Sequence, residues 1–273
     1  ENDEKLFDDA INCHICDKEL GEDRVRDHCH ITGEFRGAAH NSCNINYKIP
    51  KFIPVYFHNL SNYDGHLLIK KLRGTNNEKI KCIPSNEEKY ISFSREVVVD
   101  TYIKNGKKKT VKRELRFLDS FRFMKSSLDS LTKNLTGEQF KHLNRFCKKI
   151  NCERHLDLLL RKGIYPYDYM DSLKKLNESR LPPKSAFYSK LNDVEISNED
   201  YAHAQTVWKE FDCKTMRDYH DLYNKCDVLQ LADIFENFRD VCMTHYKLDP
   251  AWYYTSPGLS WDAMLKMTGV ELE

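Results

Sequence analysis

Residues 13–44 read CHICDKELGEDRVRDHCHITGEFRGAAHNSCN. This stretch contains two pairs of metal-type ligands, Cys13 with Cys16 and His40 with Cys43, and two residues separate the members of each pair. A C-x-x-C pair followed by a second pair at the same spacing is a usual way to build a closed tetrahedral zinc site. We therefore expect a structural Zn²⁺ ion to bind these four side chains and to fold the loop between them.

The segment between the two ligand pairs carries DHCH at residues 27–30, a compact set of acid, base and ligand groups. A purely structural zinc knuckle would not need these groups, so they are candidates for chemistry on a bound substrate. The alternative is a zinc-stabilised binding knuckle in which Asp27 is a turn residue and His28 a satisfied polar group. We interpret His14 as a spacer and not as a ligand.

The composition is typical of an intracellular protein, nuclear or cytoplasmic, without a membrane segment. Of the 273 residues, 31% are charged, and the net charge is +1. No apolar run approaches the ~20 residues that span a bilayer. The ten cysteines show no disulfide-type spacing, which favours a reducing compartment. The sequence begins without Met, and we expect it to be a piece of a longer protein.

The remaining sequence alternates strand-like and helix-like segments, which predicts a mixed α/β domain behind the zinc segment. Asn105-Gly106 separates two β-rich segments and predicts a hairpin. We interpret the lysines at residues 107–109 as a solvated tip, the alternative being a phosphate contact. Apolar periodicity and punctuation predict the other elements: a strand over 53–59, helices over 64–72, 198–211 and 215–246, and an irregular segment over 168–198.

The order C-x-x-C, D-H-x-H, T-G, R-G and a second ligand pair followed by Asn resembles recombination endonuclease VII, a His-Me finger (ββα-metal) nuclease. The resemblance covers residues 12–48 and departs at His40, where the family usually has Cys. Imidazole is a competent zinc ligand. The resemblance implies a small treble-clef-like zinc module with these further roles: Asp27 and Asn44 hold a catalytic Mg²⁺, His28 is the general base, His30 lies near the scissile phosphate, and Arg36 contacts phosphate.

Two further motifs lie beyond the zinc segment. Asn59-x-x-x-Tyr63-Asp64 follows the predicted strand, and Tyr223-x-x-x-Asp227 lies within a predicted helix. Four residues along a helix bring two side chains to one face, so Tyr223 and Asp227 can reach one site. A phenol beside a metal-binding carboxylate suits two-metal 3′–5′ exonucleolysis. The structural alternative is that Asn59 ends a strand, Asp64 caps a helix, and the other two are ordinary helix positions.

Taken together, these motifs resemble the 3′–5′ exonuclease region of family B DNA polymerases. The similarity is to the organellar and viral, protein-primed type carried by Maverick/Polinton-like transposable elements. The resemblance implies a ribonuclease H-like core in which Asp64 and Asp227 bind Mg²⁺ and Asn59 and Tyr223 complete the catalytic set. Tyr63, Ser127 and Leu128 would bind single-stranded DNA, and the last two would also bind a terminal priming protein.

One departure limits what this resemblance implies. The family's Asp-x-Glu motif is absent before Asn59, so the exonuclease core is incomplete at its N-terminal side, and we do not expect self-sufficient proofreading. The division expected is an endonuclease VII-like module (1–50), an exonuclease region (51–246) and the start of a linker to the polymerase palm (247–273). We expect the chain to be a fragment of a nucleotidyltransferase, a DNA-directed DNA polymerase. The fragment would supply DNA-binding and 3′–5′ proofreading elements of that enzyme. The rivals are an Mg²⁺-dependent His-Me finger endonuclease and an inert DNA-binding remnant.

Overall fold

The chain folds into two compact units, Glu1–Ile53 and Pro54–Glu273. Their structure is a computed structural model. It describes these residues: 2–29, 33–47, 50–72, 80–87, 89–104 and 106–272.

The first unit is built from two strands and two short helices. Its elements follow in the order: α1 (Asn2–Asp8), β1 (Arg24–His28), β2 (Phe35–His40) and α2 (Asn41–Asn46). The two strands pair antiparallel, with Arg24 opposite His40 and Asp27 opposite Gly37. The register shifts between Asp27 and His28, and such a bulge re-aims a side chain at the end of a strand. Helix α2 begins directly after β2 and packs against both strands.

Arginines on β1 attach helix α1 to the small sheet. Arg24 Nη1 donates hydrogen bonds of 3.1, 3.3 and 3.1 Å to the backbone oxygens of Phe7, Asp8 and Ala10. These carbonyls lie at the end of α1, where a helix has acceptors without intrahelical partners. The guanidinium of Arg26 lies 5.0 Å from the ring centroid of Phe7. The acidic leading segment is thus held by cations of the strand that also carries Asp27.

The second unit contains a four-stranded sheet in the order β3-β6-β5-β4. Its strands and the helix after the first of them are as follows: β3 (Phe52–Phe57), α3 (Asp64–Leu72), β4 (Ile80–Pro84), β5 (Tyr90–Lys104) and β6 (Lys107–Asp119). β5 and β6 pair antiparallel as far as Lys104 opposite Lys107, which confirms the predicted hairpin, although Asn105 lies outside the described residues. Leu60, Phe93 and Phe117 form the core on one face of this sheet.

The other part of the second unit is helical. Its α-helices are as follows: α4 (Leu128–Thr132), α5 (Lys141–Lys149), α6 (Asn198–Glu210), α7 (Met216–Tyr246) and α8 (Ser256–Thr268). The long helix α7 begins at a capping box in which Thr215 and Asp218 satisfy each other's backbone N–H groups. Its buried residues Met216, Tyr219 and Leu222 pack with Phe140 and Leu143 in the main core.

The predicted element types are largely confirmed. α6 and α7 lie within a residue of the ranges 198–211 and 215–246, and α3 begins at Asp64 as expected. The irregular segment 168–198 contains only short 3₁₀ turns and an isolated bridge before α6. The architecture is therefore mixed α/β. All ten cysteines are free thiols, and none of the described helices is both long and apolar enough to cross a membrane.

Candidate metal and nuclease sites

Four side chains of the first unit converge in the way that a zinc site requires. The ligand atoms of Cys13, Cys16, His40 and Cys43 all lie within 4.8 Å of one another. His40 Nδ1 lies 3.5 Å from Cys16 Sγ and 3.8 Å from Cys43 Sγ. Zinc bonds of about 2.3 Å to sulfur and 2.05 Å to nitrogen give a tetrahedral edge of about 3.6 Å. The donor set and its spacing therefore fit Zn²⁺.

The backbone around the cluster selects the ligand atom of His40. Its Nε2 lies 2.9 Å from the carbonyl oxygen of Glu19, and because a carbonyl only accepts, Nε2 carries the proton. Nδ1 then directs its lone pair at the thiols, as in metal sites whose imidazoles are oriented by a hydrogen bond on the other nitrogen. Without an ion, the Glu19 carbonyl and the thiols of Cys13 and Cys16 raise the pKa of His40 to about 9. Metal binding therefore displaces a proton.

The backbone of the C-x-x-C turn also favours the thiolate form of Cys13. Burial opposes ionisation of Cys13, but backbone hydrogen bonds at His40, Ile15 and Cys16 outweigh it and lower the pKa of Cys13 to about 6. The thiolate is the form that binds zinc. Cys13 is fully buried, so the ion would sit against the interior of the first unit.

The residues expected to perform nuclease chemistry lie on the strand–strand–helix part of the same unit. Asp27 and His28 are the last two residues of β1, and Asn44 lies in α2, the helix that packs against β1. Asp27 is 2% exposed, whereas His28 is exposed. Carboxylate and amide oxygens are ligands that Mg²⁺ prefers. His30 lies outside the described residues.

Two side chains, His14 and Arg36, hold the carboxylate of Asp27. His14 Nε2 lies 2.9 Å from Asp27 Oδ2, and a carboxylate accepts, so the imidazole donates. Arg36 Nη1 lies 3.7 Å from the same oxygen, while Arg36 Nη2 donates a 2.7 Å hydrogen bond to the His28 carbonyl. The Arg36 guanidinium also lies 5.0 Å from the ring centroid of Tyr47. Arg36 thus contacts both residues of the Asp27-His28 pair.

Glycine is required at position 37 for the close approach of the His14 side chain to β2. Gly37 has φ = +154°, in a region that essentially only glycine adopts. A Cβ placed there would lie 2.8 Å from His14 Cγ and 2.9 Å from His14 Cβ. Gly37 pairs with Asp27 in the strand register. Because Gly37 has no side chain, the His14 ring can lie against β2 at this position.

In the second unit, two of the expected exonuclease carboxylates share a cleft. Asp64, Leu128 and Asp227 all line one cleft of about 680 Å³, which is otherwise bounded mainly by β3 and α7. Asp64 is the first residue of α3, and Asp227 lies on α7. The two positions are far apart in sequence, and the fold brings them to one concave surface.

Asp227 and Tyr223 are also engaged by a lysine. Lys162 Nζ donates to Asp227 Oδ2 and to the Tyr223 hydroxyl, and its ammonium lies 4.5 Å from the Tyr223 ring centroid. Tyr167 shares a hydrogen bond with the Tyr223 hydroxyl. Burial and then the nearby Asp227 raise the pKa of Tyr223, which keeps the phenol protonated. Asp227 Oδ1 is buried and has no hydrogen-bond partner among the described residues.

The remaining predicted residues of the second unit lie near the start of α3 and of α4. Asn59 adopts φ = +70°, which asparagine tolerates, and its backbone N–H donates to Asp119 Oδ1 at 2.8 Å. Tyr63 is 60% exposed and accessible to a base. Ser127 is the N-cap of α4, where its hydroxyl accepts from Ser130 N at 3.1 Å.

Sequence reasoning misses two residues at these sites. His14 is not one of the four metal-type ligands, as expected, but its side chain donates a hydrogen bond to Asp27 that sequence reasoning did not predict. Lys162 precedes Gly163, where a Cβ would lie 2.8 Å from Tyr223 Cδ2. A lysine followed by glycine gives no signal by itself, because the partner Tyr223 is 61 residues away.

The first unit is thus a ββα arrangement that carries a cluster of four zinc-type ligands. A family model of recombination endonuclease VII matches residues 3–58, a segment that includes all four metal-type ligands, Asp27, His28 and Asn44. No curated protein matches the chain, and no solved structure matches it either.

Proposed function

We propose that the first unit is a metal-dependent DNA endonuclease module of the endonuclease VII type. The family match over residues 3–58 carries this proposal, and the position of Asp27 supports it. That carboxylate is buried at the end of β1 and is held by His14 and Arg36. The match implies DNA as the partner. We assign residues 1–50 to this module, together with the site roles derived from the resemblance.

We assign the following roles in phosphodiester hydrolysis to residues of the first unit. His28 lies exposed at the end of β1 and accepts a proton from the attacking water, because neutral imidazole is a base near neutral pH. Asp27 and Asn44 supply the oxygen atoms that would hold Mg²⁺. When bound, Mg²⁺ would stabilise negative charge that develops on the scissile phosphate. Zn²⁺ at the four-ligand cluster would fix the C-x-x-C turn, the end of β2 and α2 relative to one another.

A plasmid-nicking assay tests this function. Zinc-loaded chain is incubated with supercoiled plasmid and Mg²⁺, and conversion to the relaxed circle is followed. We expect nicking by the unaltered chain and a loss of about 10²- to 10⁴-fold in His28→Ala, the usual contribution of a general base. His245→Ala, which changes an exposed histidine on α7, serves as the control. Nicking that persists in His28→Ala, or inactivity of the zinc-loaded chain, would overturn the proposal.

A second candidate function belongs to the second unit: part of a 3′–5′ exonuclease with a ribonuclease H-like core, in a piece of a protein-primed family B polymerase. The shared cleft of Asp64 and Asp227 supports it. On this proposal residues 51–246 are the exonuclease region and 247–273 lead toward the palm. A terminal priming protein would be a second partner. Because Lys162 already pairs with Asp227, a metal must displace the lysine or use Asp227 Oδ1.

An oligonucleotide substrate distinguishes the exonuclease function from the endonuclease function. An oligonucleotide labelled at its 5′ end and incubated with Mg²⁺ would shorten from its 3′ end if the second unit is active, and Asp227→Asn would stop the shortening. Asp193→Asn, an exposed aspartate of a turn, is the matched control. Retained DNA binding with neither nicking nor shortening would instead identify an inert DNA-binding remnant.

A further inference from the structure

The second unit contains a second cleft, of about 610 Å³, that none of the proposed nuclease steps uses. Four segments line it: the loop after β3, the start of β5, the turn after β6 and the N-terminus of α8. Three cationic side chains line it: Lys89 directly before β5, and Arg122 and Lys125 in the turn after β6. We call it the basic cleft.

Asp119 is the one acidic residue among the described residues that line the basic cleft, and its carboxylate accepts hydrogen bonds from backbone N–H groups. Asp119 is 2% exposed. Its Oδ1 accepts hydrogen bonds from Asn59 N at 2.8 Å and Phe121 N at 3.1 Å, and its Oδ2 accepts one from Ser61 N at 3.2 Å. This carboxylate is buried and hydrogen-bonded to the backbone of the cleft walls, so the exposed charged side chains of the basic cleft are cationic.

Arg122 has unused hydrogen-bonding capacity. Its Nη2 donates a weak 3.4 Å hydrogen bond to Ser61 Oγ, while its Nε is buried without a partner among the described residues. Lys89 and Lys125 are exposed, so their ammonium groups can move to meet an anion. A half-buried guanidinium and two exposed ammonium groups form a typical phosphate-binding set.

The N-terminus of α8 adds to this positive potential. The helix has 13 residues, and its N-cap Thr255 makes no side-chain capping hydrogen bond. Thr255, Ser256 and Pro257 line the basic cleft. The N-terminus of a helix favours an anion in its vicinity, and of these three residues Thr255 and Ser256 carry a backbone N–H whereas Pro257 has none.

The walls of the basic cleft are apolar as well as cationic. Ile91, Phe121 and Phe123 line it, and the Phe121 ring packs edge-on against His58 with centroids 5.4 Å apart. Cations that follow a phosphate backbone and aromatic faces that contact bases are the combination found in single-strand binding sites. A duplex keeps its bases stacked inside and would present only phosphates to these rings.

We propose that the basic cleft binds the phosphate backbone of single-stranded DNA, with Lys89, Arg122 and Lys125 as its phosphate contacts. This site lies in the second unit and requires no catalysis, so it goes beyond the endonuclease function. Asn59 lines the basic cleft and its neighbour His58 lines the cleft of Asp64 and Asp227. The two clefts are therefore lined by adjacent residues of the chain.

The test measures the affinity of the full zinc-loaded chain for a fluorescent oligothymidylate by anisotropy, without Mg²⁺ so that nothing is cut. Lys89→Ala/Lys125→Ala is compared with Lys174→Ala/Lys209→Ala, which removes the same charge from exposed positions of the same unit outside the cleft. We expect about tenfold weaker binding in the cleft variant only. The steepness of log K against log salt should fall by about 0.7 for each phosphate that the variant no longer neutralises.

A charge-retaining variant and a duplex ligand complete the design. Lys89→Arg/Lys125→Arg should bind the oligothymidylate like the unaltered chain, which separates the effect of charge from misfolding. Equal weakening in the cleft and control variants would overturn the proposal, because the effect would then be general electrostatics. Equal losses for single-stranded and duplex DNA would overturn the assignment to single strands. An inactive endonuclease module leaves all these comparisons intact, so failure of the two proposals can be distinguished.

Discussion

His14 Nε2 donates a 2.9 Å hydrogen bond to the carboxylate of Asp27, which joins the C-x-x-C turn to the end of β1. His14 lies between Cys13 and Cys16, two of the four metal-type ligands. A zinc ion at that cluster would therefore fix the backbone that positions His14, and His14 would in turn orient Asp27. The metal-type cluster and the proposed catalytic carboxylate are thus linked through one side chain.

Replacing His14 should weaken catalysis and spare zinc binding. In His14→Ala the Asp27 carboxylate loses its oriented donor, and groups that orient a metal ligand typically contribute 10- to 100-fold to metal affinity or activity. We expect the Mg²⁺ concentration for half-maximal nicking to rise by about that factor. His14→Gln, which retains an N–H donor, should recover much of the loss. An unchanged Mg²⁺ requirement would contradict this role, and zinc loss would show that His14 supports the knuckle instead.

Gly37→Ala should destabilise the fold of the first unit. The substitution combines an unfavourable φ of +154° with a Cβ placed 2.8 Å from the His14 ring, and strained backbone of this kind costs about 1–3 kcal/mol. The measurement is the rate of zinc transfer to a chelating dye, which should increase. Gly21→Ala is the matched control in the same unit, because its Cβ would have no neighbour closer than 3.7 Å. Equal rates in the two variants would exclude a packing role for Gly37.

Removal of zinc should unfold one unit and leave the other folded. The first unit has few large buried side chains, whereas the second has its own core around Phe140, Leu143 and Met216. A chelator should therefore accelerate amide hydrogen exchange in β1 and β2 and leave α7 protected, because binding energy at a structural zinc site is folding energy. Protection of β1 that survives complete zinc removal would show that packing alone holds the first unit.

An ion pair in the second unit should make its stability fall in acid. Arg239 Nε and Nη2 donate to the two oxygens of Asp249 at 2.9 and 2.6 Å. Burial opposes ionisation of Asp249, but the hydrogen bonds from Arg239 outweigh it and hold the pKa of Asp249 below its ordinary value of 3.8. A lowered folded-state pKa gives stabilisation that is complete above the ordinary value and disappears as the pH falls below it.

The variant Asp249→Asn isolates this contribution. We expect its free energy of unfolding to be about 1.5–3 kcal/mol smaller than that of the unaltered chain near neutral pH, the usual range for hydrogen bonds to charged groups. The difference should narrow below the ordinary Asp pKa in urea unfolding measured across pH. Asp240→Asn, an aspartate of α7 whose side chain is 66% exposed, should show no such trend. A difference that stays constant with pH would contradict the assignment.

Local sequence patterns predict the elements that depend on neighbouring residues. The two ligand pairs indicate the zinc cluster, because a C-x-x-C turn and a pair at the start of a helix place donors by short-range geometry. The period of apolar residues predicts α7, and Asn105-Gly106 predicts that β5 and β6 pair. In each case the chemistry and the geometry are contained in a few consecutive residues.

Interactions between distant segments are not predictable in this way. Lys162 approaches Asp227 only because the segment before Tyr165 packs on α7, and no periodicity encodes that pairing. The basic cleft likewise combines Lys89, the Arg122–Lys125 turn and the start of α8, which are three separate segments. The role of His14 escapes sequence reasoning because its partner lies 13 residues away, across a turn whose course depends on the zinc cluster.

The most direct test of the account is the metal content of the purified chain, measured by inductively coupled plasma mass spectrometry after exhaustive dialysis. The cluster of Cys13, Cys16, His40 and Cys43 predicts one equivalent of zinc per chain, and its loss in Cys16→Ser but not in Cys82→Ser, an exposed cysteine outside the cluster. A folded chain that carries no zinc, or a Cys16→Ser variant that retains it in full, would contradict the claim that a bound ion organises the nuclease module.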